Sequence, residues 1–95
     1  MVKTIARQVI KEDYIEQYQV LAKELVEETR KEPGCIAYST NQSLKDKRVH
    51  CFIEVFVDQA AADVHGASAH FKRIVPQFSA MFDEDEQVDQ YTEYF

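Results

Sequence analysis

The order of elements along the sequence predicts an α+β fold whose chain runs strand, helix, strand, strand, helix, strand. Three observations carry that expectation. Apolar residues recur at helical spacing between Tyr14 and Lys31; two runs rich in β-branched and aromatic residues, Cys35 to Ser43 and Val49 to Val57, flank a short charged turn; and a second helical region is followed by a closing segment of β character. Together they give the split βαβ, or ferredoxin-like βαββαβ, arrangement with an antiparallel sheet. Residues 1–95 are expected to form one domain, which by surface scaling buries about 60 to 70% of its unfolded surface.

Val2 to Lys11 is rich in β-branched and apolar residues without a helical stripe, and suits a first strand. Asp13 is the expected cap of the first helix, whose apolar positions Tyr14, Ile15, Tyr18, Leu21, Ala22, Leu25 and Val26 form one face. "EPGC" ends it, because Pro33 turns Glu32 away from helical geometry and Gly34 supplies a permissive turn. The two runs that follow form a hairpin around Leu44 to Lys47. Asp58 or Asp63 caps the alanine-rich helix Gln59 to Val64; a further helix starts at Ser68, and Pro76 is expected to kink or split it. Beyond the acidic run Asp83 to Glu86, Val88 to Phe95 reads as the last strand.

Composition narrows the function. A hydrophobic fraction of 45% with two Gly and two Pro belongs to an ordered globular chain, and a net charge of −6 with scattered Lys and Arg argues against nucleic acid and anionic membrane as partners. No basic-then-apolar leader opens the sequence and no apolar run is long enough to span a bilayer, so a cytoplasmic location is expected. Cys35 and Cys51 lack metal-type spacing; with Cys51 opposite about Thr40 in the hairpin, the two thiols stand roughly 17 Å apart along the strand, and both read as reduced, buried small hydrophobes.

Both sides of the third strand are apolar in the main. Val49, Cys51, Ile53, Val55 and Val57 form one side, and His50, Phe52, Glu54 and Phe56 the other. Helices cover only one face of such a sheet, so the other face is expected to meet a second copy of itself in a homodimer.

The candidate chemistry lies in "DVHGASAHF", Asp63 to Phe71. His65 and His70 are too far apart to stack on one helical face, and Gly66 and Ser68 place a helix break between them. His65 then sits at a helix C-terminus, where the dipole favours its protonated form; His70 sits near a helix N-terminus, where it favours the neutral one. His50 and Glu54 share one strand face with Phe52 and Phe56, and a carboxylate among aromatics has a raised pKa unless a histidine pairs with it. His50, Glu54 and one of the other histidines offer the donor types of a two-histidine, one-carboxylate iron site, but nothing in the spacing demands one. The tyrosines, including Tyr14, Tyr18, Tyr38, Tyr91 and Tyr94, read as packing groups.

"EPGCIAYS" after a long first helix, followed by "FIEVFVDQAAADVHGASAHF", resembles the antibiotic biosynthesis monooxygenase (ABM) domain family, in its quinol-monooxygenase-like branch. The resemblance covers nearly the whole chain and implies a dimeric α+β barrel of ferredoxin-like protomers, with a pocket between sheet and second helical region. Members of the family include cofactor-free oxygenases of phenols and quinols, haem-degrading enzymes and enzymes acting on a small signalling sugar. The positions that match are Glu54, Phe56, His65 and His70; Phe56 stands where the family often has Trp. The haem-degrading branch carries Asn, Trp and a ligating His where this chain has Gln8, His65 and the Ile74 to Val75 region, so haem is not expected.

These residues point to oxidation of a small phenolic or quinol-type substrate by dioxygen without metal or organic cofactor. His70, ahead of His65, is the expected base for the hydroxyl proton, with Glu54 or the other histidine stabilising the charge. His50, Phe52, Phe56, Phe71 and Tyr38 are the expected substrate-binding walls. The alternatives are an isomerase or lyase of a small hydroxyketone or signalling sugar, in which the same base takes a proton beside a carbonyl, and a non-catalytic ligand-binding stress protein.

Overall fold

The computed structural model describes residues 1–95. Its elements are β1 (Val2–Val9), a 3-10 turn (Glu12–Tyr14), α1 (Ile15–Thr29), β2 (Cys35–Gln42), β3 (Val49–Phe56), α2 (Gln59–Gly66), α3 (Ala69–Phe78), a second 3-10 turn (Ser79–Met81) and β4 (Gln87–Thr92). The strands form one antiparallel sheet in the order β2-β3-β1-β4. This is the ferredoxin-like α+β arrangement that the sequence predicts. No helix is long and apolar enough to cross a membrane.

Strand alternation explains the two faces of β3. His50, Phe52, Glu54 and Phe56 turn toward the helices and are buried, while Ile53 and Val57 on the other side are exposed. Tyr18, Ala22, Leu25 and Val26 of α1 and Ile74 and Phe78 of α3 close over the buried face. On the open face Ile5 of β1 stands directly opposite Ile53 of β3, and both are exposed.

Caps fix the helix break that aims the two histidines. The Asp58 carboxylate accepts from the Ala61 amide at 2.9 Å and starts α2; the Ser68 hydroxyl accepts from the Phe71 amide at 3.3 Å and starts α3. Ala67 closes α2, and the Ser68 hydroxyl also donates to the His65 carbonyl at 2.7 Å, tying the two helix ends together.

Several local expectations change. Asp13 lies in the 3-10 turn and makes no cap; α1 begins at Ile15 with Tyr14 in the cap position. Pro76 stays inside α3: its missing amide falls in the last turn, and the chain tightens to 3-10 geometry only beyond Phe78. Gly34 has no positive φ. Its small size is required instead by packing, because a Cβ there would overlap the Cβ of Ala61 on α2. In the hairpin, Cys51 pairs with Asn41 rather than Thr40. The bulge between Cys35 and Ala37 shifts the register at the start of β2. Both cysteines are free and only partly buried, Cys51 because its side chain falls on the uncovered sheet face. Tyr14, Tyr91 and Tyr94 are exposed, whereas Tyr18 and Tyr38 are core residues.

Candidate functional site

The register of the sheet places Tyr38, Glu54, Thr4 and Gln90 in one row across all four strands, and Phe52, Ala6 and Val88 in the next. These two rows floor a cavity of about 230 Å³. Ala62, His65 and Gly66 of α2, Phe71, Val75 and Phe78 of α3, and Leu25 of α1 roof it. An apolar cavity of about 150 Å³ holds benzene, so this volume suits a single substituted ring.

His65 is the polar group of the roof. It is 4% exposed and held by aromatic rings, with Phe56 at 5.2 Å, Tyr38 at 5.1 Å and Phe71 edge-on at 5.1 Å. Its Nδ1 bonds to Glu32 Oε2 at 2.8 Å, which fixes the proton on that nitrogen when the ring is neutral. Its Nε2 is buried without a hydrogen-bond partner and stands 3.8 Å from Glu54 Oε1, beyond hydrogen-bond reach.

Burial depresses the His65 pKa, and the neighbouring Glu32 only partly offsets it. The expected effect of the helix C-terminus is therefore outweighed, and the ring is neutral. Burial, assisted by the carboxylates of Glu86 and Glu32, pushes Glu54 up to about 7. A histidine does lie near Glu54, but too far away to relieve this desolvation.

Glu32 is the member of this cluster that the sequence alone did not point to. Its Oε2 accepts from both His65 Nδ1 and His70 Nε2, the latter at 2.6 Å. The available signal was an acid at the C-terminal end of a helix, where the dipole disfavours it. An acid so placed has to be stabilised by groups elsewhere in the fold, here two imidazoles.

The other expected residues separate by position. Phe52, Phe71, Tyr38, Glu54 and His65 line the cavity. Phe56 packs behind His65 rather than on the cavity wall, and His70 lies beyond Glu32, outside the lining. His50 is not brought to the cavity. It sits edge-on to Tyr18 with ring centroids 4.9 Å apart, its Nδ1 3.2 Å from the Arg48 carbonyl and its Nε2 3.2 Å from the Gln19 amide. That placement separates it from Glu54, His65 and His70 as a ligand set. At the far end of the cavity the Tyr18 hydroxyl donates to Gln8 Oε1, and the Gln8 amide donates to Glu86.

A family model described as antibiotic biosynthesis monooxygenase matches residues 1–77. Among solved structures, the chain is similar to a crystal structure of an antibiotic biosynthesis monooxygenase, at 40% identity and TM-score 0.94, covering 99% of each chain. It is also similar to a conserved protein from Methanosarcina mazei Go1, at 31% identity and TM-score 0.95, covering 98% of this chain and 92% of that one. A third similar structure is protein SO0527 from Shewanella oneidensis, at 32% identity and TM-score 0.87, covering 95% and 87%. A curated relative, the uncharacterized protein sll1783 from Synechocystis sp., is 33% identical over 66 residues, which are 70% of this chain and 45% of that protein.

Proposed function

The chain belongs to the antibiotic biosynthesis monooxygenase family, and from that premise we propose that it oxidises a small single-ring phenol or quinol with dioxygen, using no metal or organic cofactor. The observation that carries this reading is the His65 ring: neutral, tied to Glu32 through Nδ1, and presenting an unpartnered Nε2 beside a cavity of single-ring size.

Dioxygen is a triplet and accepts one electron at a time, so a closed-shell substrate must first become easy to oxidise. Removing a hydroxyl proton does this. His65 Nε2 takes that proton, and Glu32 stabilises the imidazolium that forms, as the third member of an acid–base relay does. The anion gives one electron to dioxygen, and the radical pair joins at a ring carbon that bears hydrogen to give a peroxide anion. The imidazolium returns its proton to the outer oxygen, giving the hydroperoxide. The O–O bond then breaks as the ring carbon loses its hydrogen as a proton. The outer oxygen leaves as hydroxide and takes up that proton as water, and the inner oxygen becomes a ring carbonyl. One oxygen atom stays on the product, and the substrate supplies all four electrons, so no external reductant is required.

In its protonated form Glu54 can donate a hydrogen bond to the substrate oxyanion, which an ionised carboxylate would repel. Phe52, Phe71 and Tyr38 hold the ring and keep water from the radical pair. His70 is a positioning residue that anchors Glu32 from its far side. The protomer is proposed to work as a homodimer formed through the uncovered sheet face.

The test is oxygen consumption by metal-stripped protein against a panel of single-ring quinols and polyphenols. Enzyme-dependent uptake that survives chelation, with one oxygen atom of labelled dioxygen in the product, is expected. Absence of uptake above autoxidation across the panel would overturn the reading; proton exchange beside a carbonyl without oxygen use would replace it with the isomerase chemistry.

A further inference from the structure

We propose that Glu32, His65 and His70 form a binding site for one divalent cation of the zinc class, and that filling this site turns the cavity base off. The second half rests on the role of His65 given above; the first stands on the geometry alone.

One atom from each residue can serve as ligand, namely His65 Nδ1, His70 Nε2 and a Glu32 carboxylate oxygen, and the three lie within 4.8 Å of one another. They come from three segments: α2, α3 and the connection from α1 to β2. The helix break at Ala67 and Ser68 turns rings five residues apart onto a common point. Zinc bonds of about 2.0 to 2.2 Å in tetrahedral geometry place ligand atoms about 3.3 to 3.6 Å from one another. Reaching that spacing from the present 2.8 and 2.6 Å needs a retreat of the Glu32 carboxylate, with the two ring nitrogens, now within 4.8 Å of each other, adjusting around the ion.

Two buried atoms have no hydrogen-bond partner in the cluster as it stands, Glu32 Oε1 and His65 Nε2. A cation supplies a partner for the first. A neutral imidazole that binds metal through Nδ1 must carry its proton on Nε2, which makes that atom a donor 3.8 Å from Glu54 Oε1, and the two bond once that gap closes. A carboxylate facing the free nitrogen of a metal-bound histidine is the usual outer support of such sites. Two imidazoles and one carboxylate suit zinc or cobalt, whereas magnesium and calcium select oxygen donors.

With the proton on Nε2 and the metal on Nδ1, His65 has no free lone pair left to take a substrate proton. The same ring is therefore a base without the cation and not a base with it.

The test uses the 95-residue chain stripped of metal. Titration with Co2+ is followed by visible absorption, and Zn2+ affinity is measured by competition with a chromophoric chelator. One equivalent should bind. Glu32→Gln and His70→Ala should each weaken binding at least about tenfold, as loss of a ligand or its support does, while Asp85→Asn in the exposed acidic run leaves it unchanged.

Histidine ring 15N shifts supply a variant-independent check, with His65 bound through Nδ1 and His70 through Nε2. Absence of stoichiometric binding, retention in both ligand variants, or loss in Asp85→Asn would overturn the site. In the activity arm, Zn2+ should suppress oxygen uptake in wild type and spare any residual uptake of His70→Ala at the same concentration. Binding without suppression would overturn the off state alone. If no quinol is oxidised at all, the absorption and NMR results still decide the site, so failure of the oxygenase reading remains separate.

Discussion

The Nδ1 of His65 and the Oε2 of Glu32, 33 residues apart in sequence, meet at 2.8 Å on the roof of the cavity. The contact sets which nitrogen of His65 carries the proton and leaves the other, Nε2, buried and unpartnered 3.8 Å from Glu54 Oε1. Replacing Glu32 with Gln keeps the side chain's size and removes its charge. We expect kcat for quinol oxidation to fall about 10- to 100-fold with KM nearly constant, as when the partner of a working histidine is lost. Steady-state oxygen uptake checks this, and an unchanged kcat would remove Glu32 from the mechanism.

The two variants His65→Ala and His70→Ala should separate clearly. Loss of a general base costs about 10²- to 10⁴-fold in rate, and that loss is expected for His65, which reaches the cavity. His70 bonds to Glu32 and lies outside the cavity lining, so its loss should cost about tenfold or less, since it acts by positioning. Equal losses in the two variants would return the base role to the pair as a unit.

Glu54 makes stability depend on pH. Its carboxyl is pushed from an ordinary 4.5 up to about 7 in the folded state. Between those values the folded protein retains a proton that the unfolded chain has released, so stability falls as pH rises through the window, by roughly 3 kcal/mol in all. His65, held down by burial, acts in the opposite sense and lowers stability only as pH drops below its ordinary 6.5. Urea unfolding of Glu54→Gln should lack the decline between about pH 5 and about pH 7 that ionising this carboxyl produces. Parallel curves for variant and wild type would contradict the assignment.

Gly34 lies two residues beyond Glu32 and packs on Ala61 of α2, the helix that carries His65. An added methyl must push β2 and α2 apart. Gly34→Ala is expected to destabilise by about 1 to 3 kcal/mol, the usual cost of overpacking. The same displacement should lower kcat by lengthening the bond between Glu32 and His65. Thermal unfolding and oxygen uptake on one preparation test both; a fully stable variant would mean that the contact relaxes freely.

Ile5 and Ile53 face each other across β1 and β3 on the uncovered side of the sheet. If a second copy covers that face, Ile53→Glu puts a charge near the interface centre on both partners. A loss of about 2 kcal/mol or more per site is expected for such a position. Sedimentation should show a concentration-dependent dimer for wild type and a monomer for the variant. A wild-type monomer at every concentration would rule the interface out.

Much of the fold was legible because its signals are local. The helical spacing around Tyr18, Ala22 and Leu25, the strand alternation from His50 to Phe56, and the Asp58 and Ser68 caps each depend on residues near in sequence, and each element stands close to where those signals place it. The aromatic setting of Glu54 was legible for the same reason. Asp13 and Pro76 were misread because their effects depend on how the adjoining turn closes, and a 3-10 turn before α1 and the position of Pro76 near the end of α3 changed both outcomes.

The candidate site divides along the same line. The sequence by itself determined the sheet order's raw material, the two-faced third strand and the break that separates His65 from His70. Only the tertiary structure decided that Glu32 joins them, that His65 rather than His70 reaches the cavity, and that His50 lies elsewhere. The physical reason is that a neutral ring's tautomer and a buried carboxyl's proton are set by atoms a few ångströms away. For His65 that neighbour is Glu32, 33 residues away along the chain, and for Glu54 it is first the burial beneath the helices and then the carboxylates of Glu86 and Glu32; no periodicity or local motif records such surroundings.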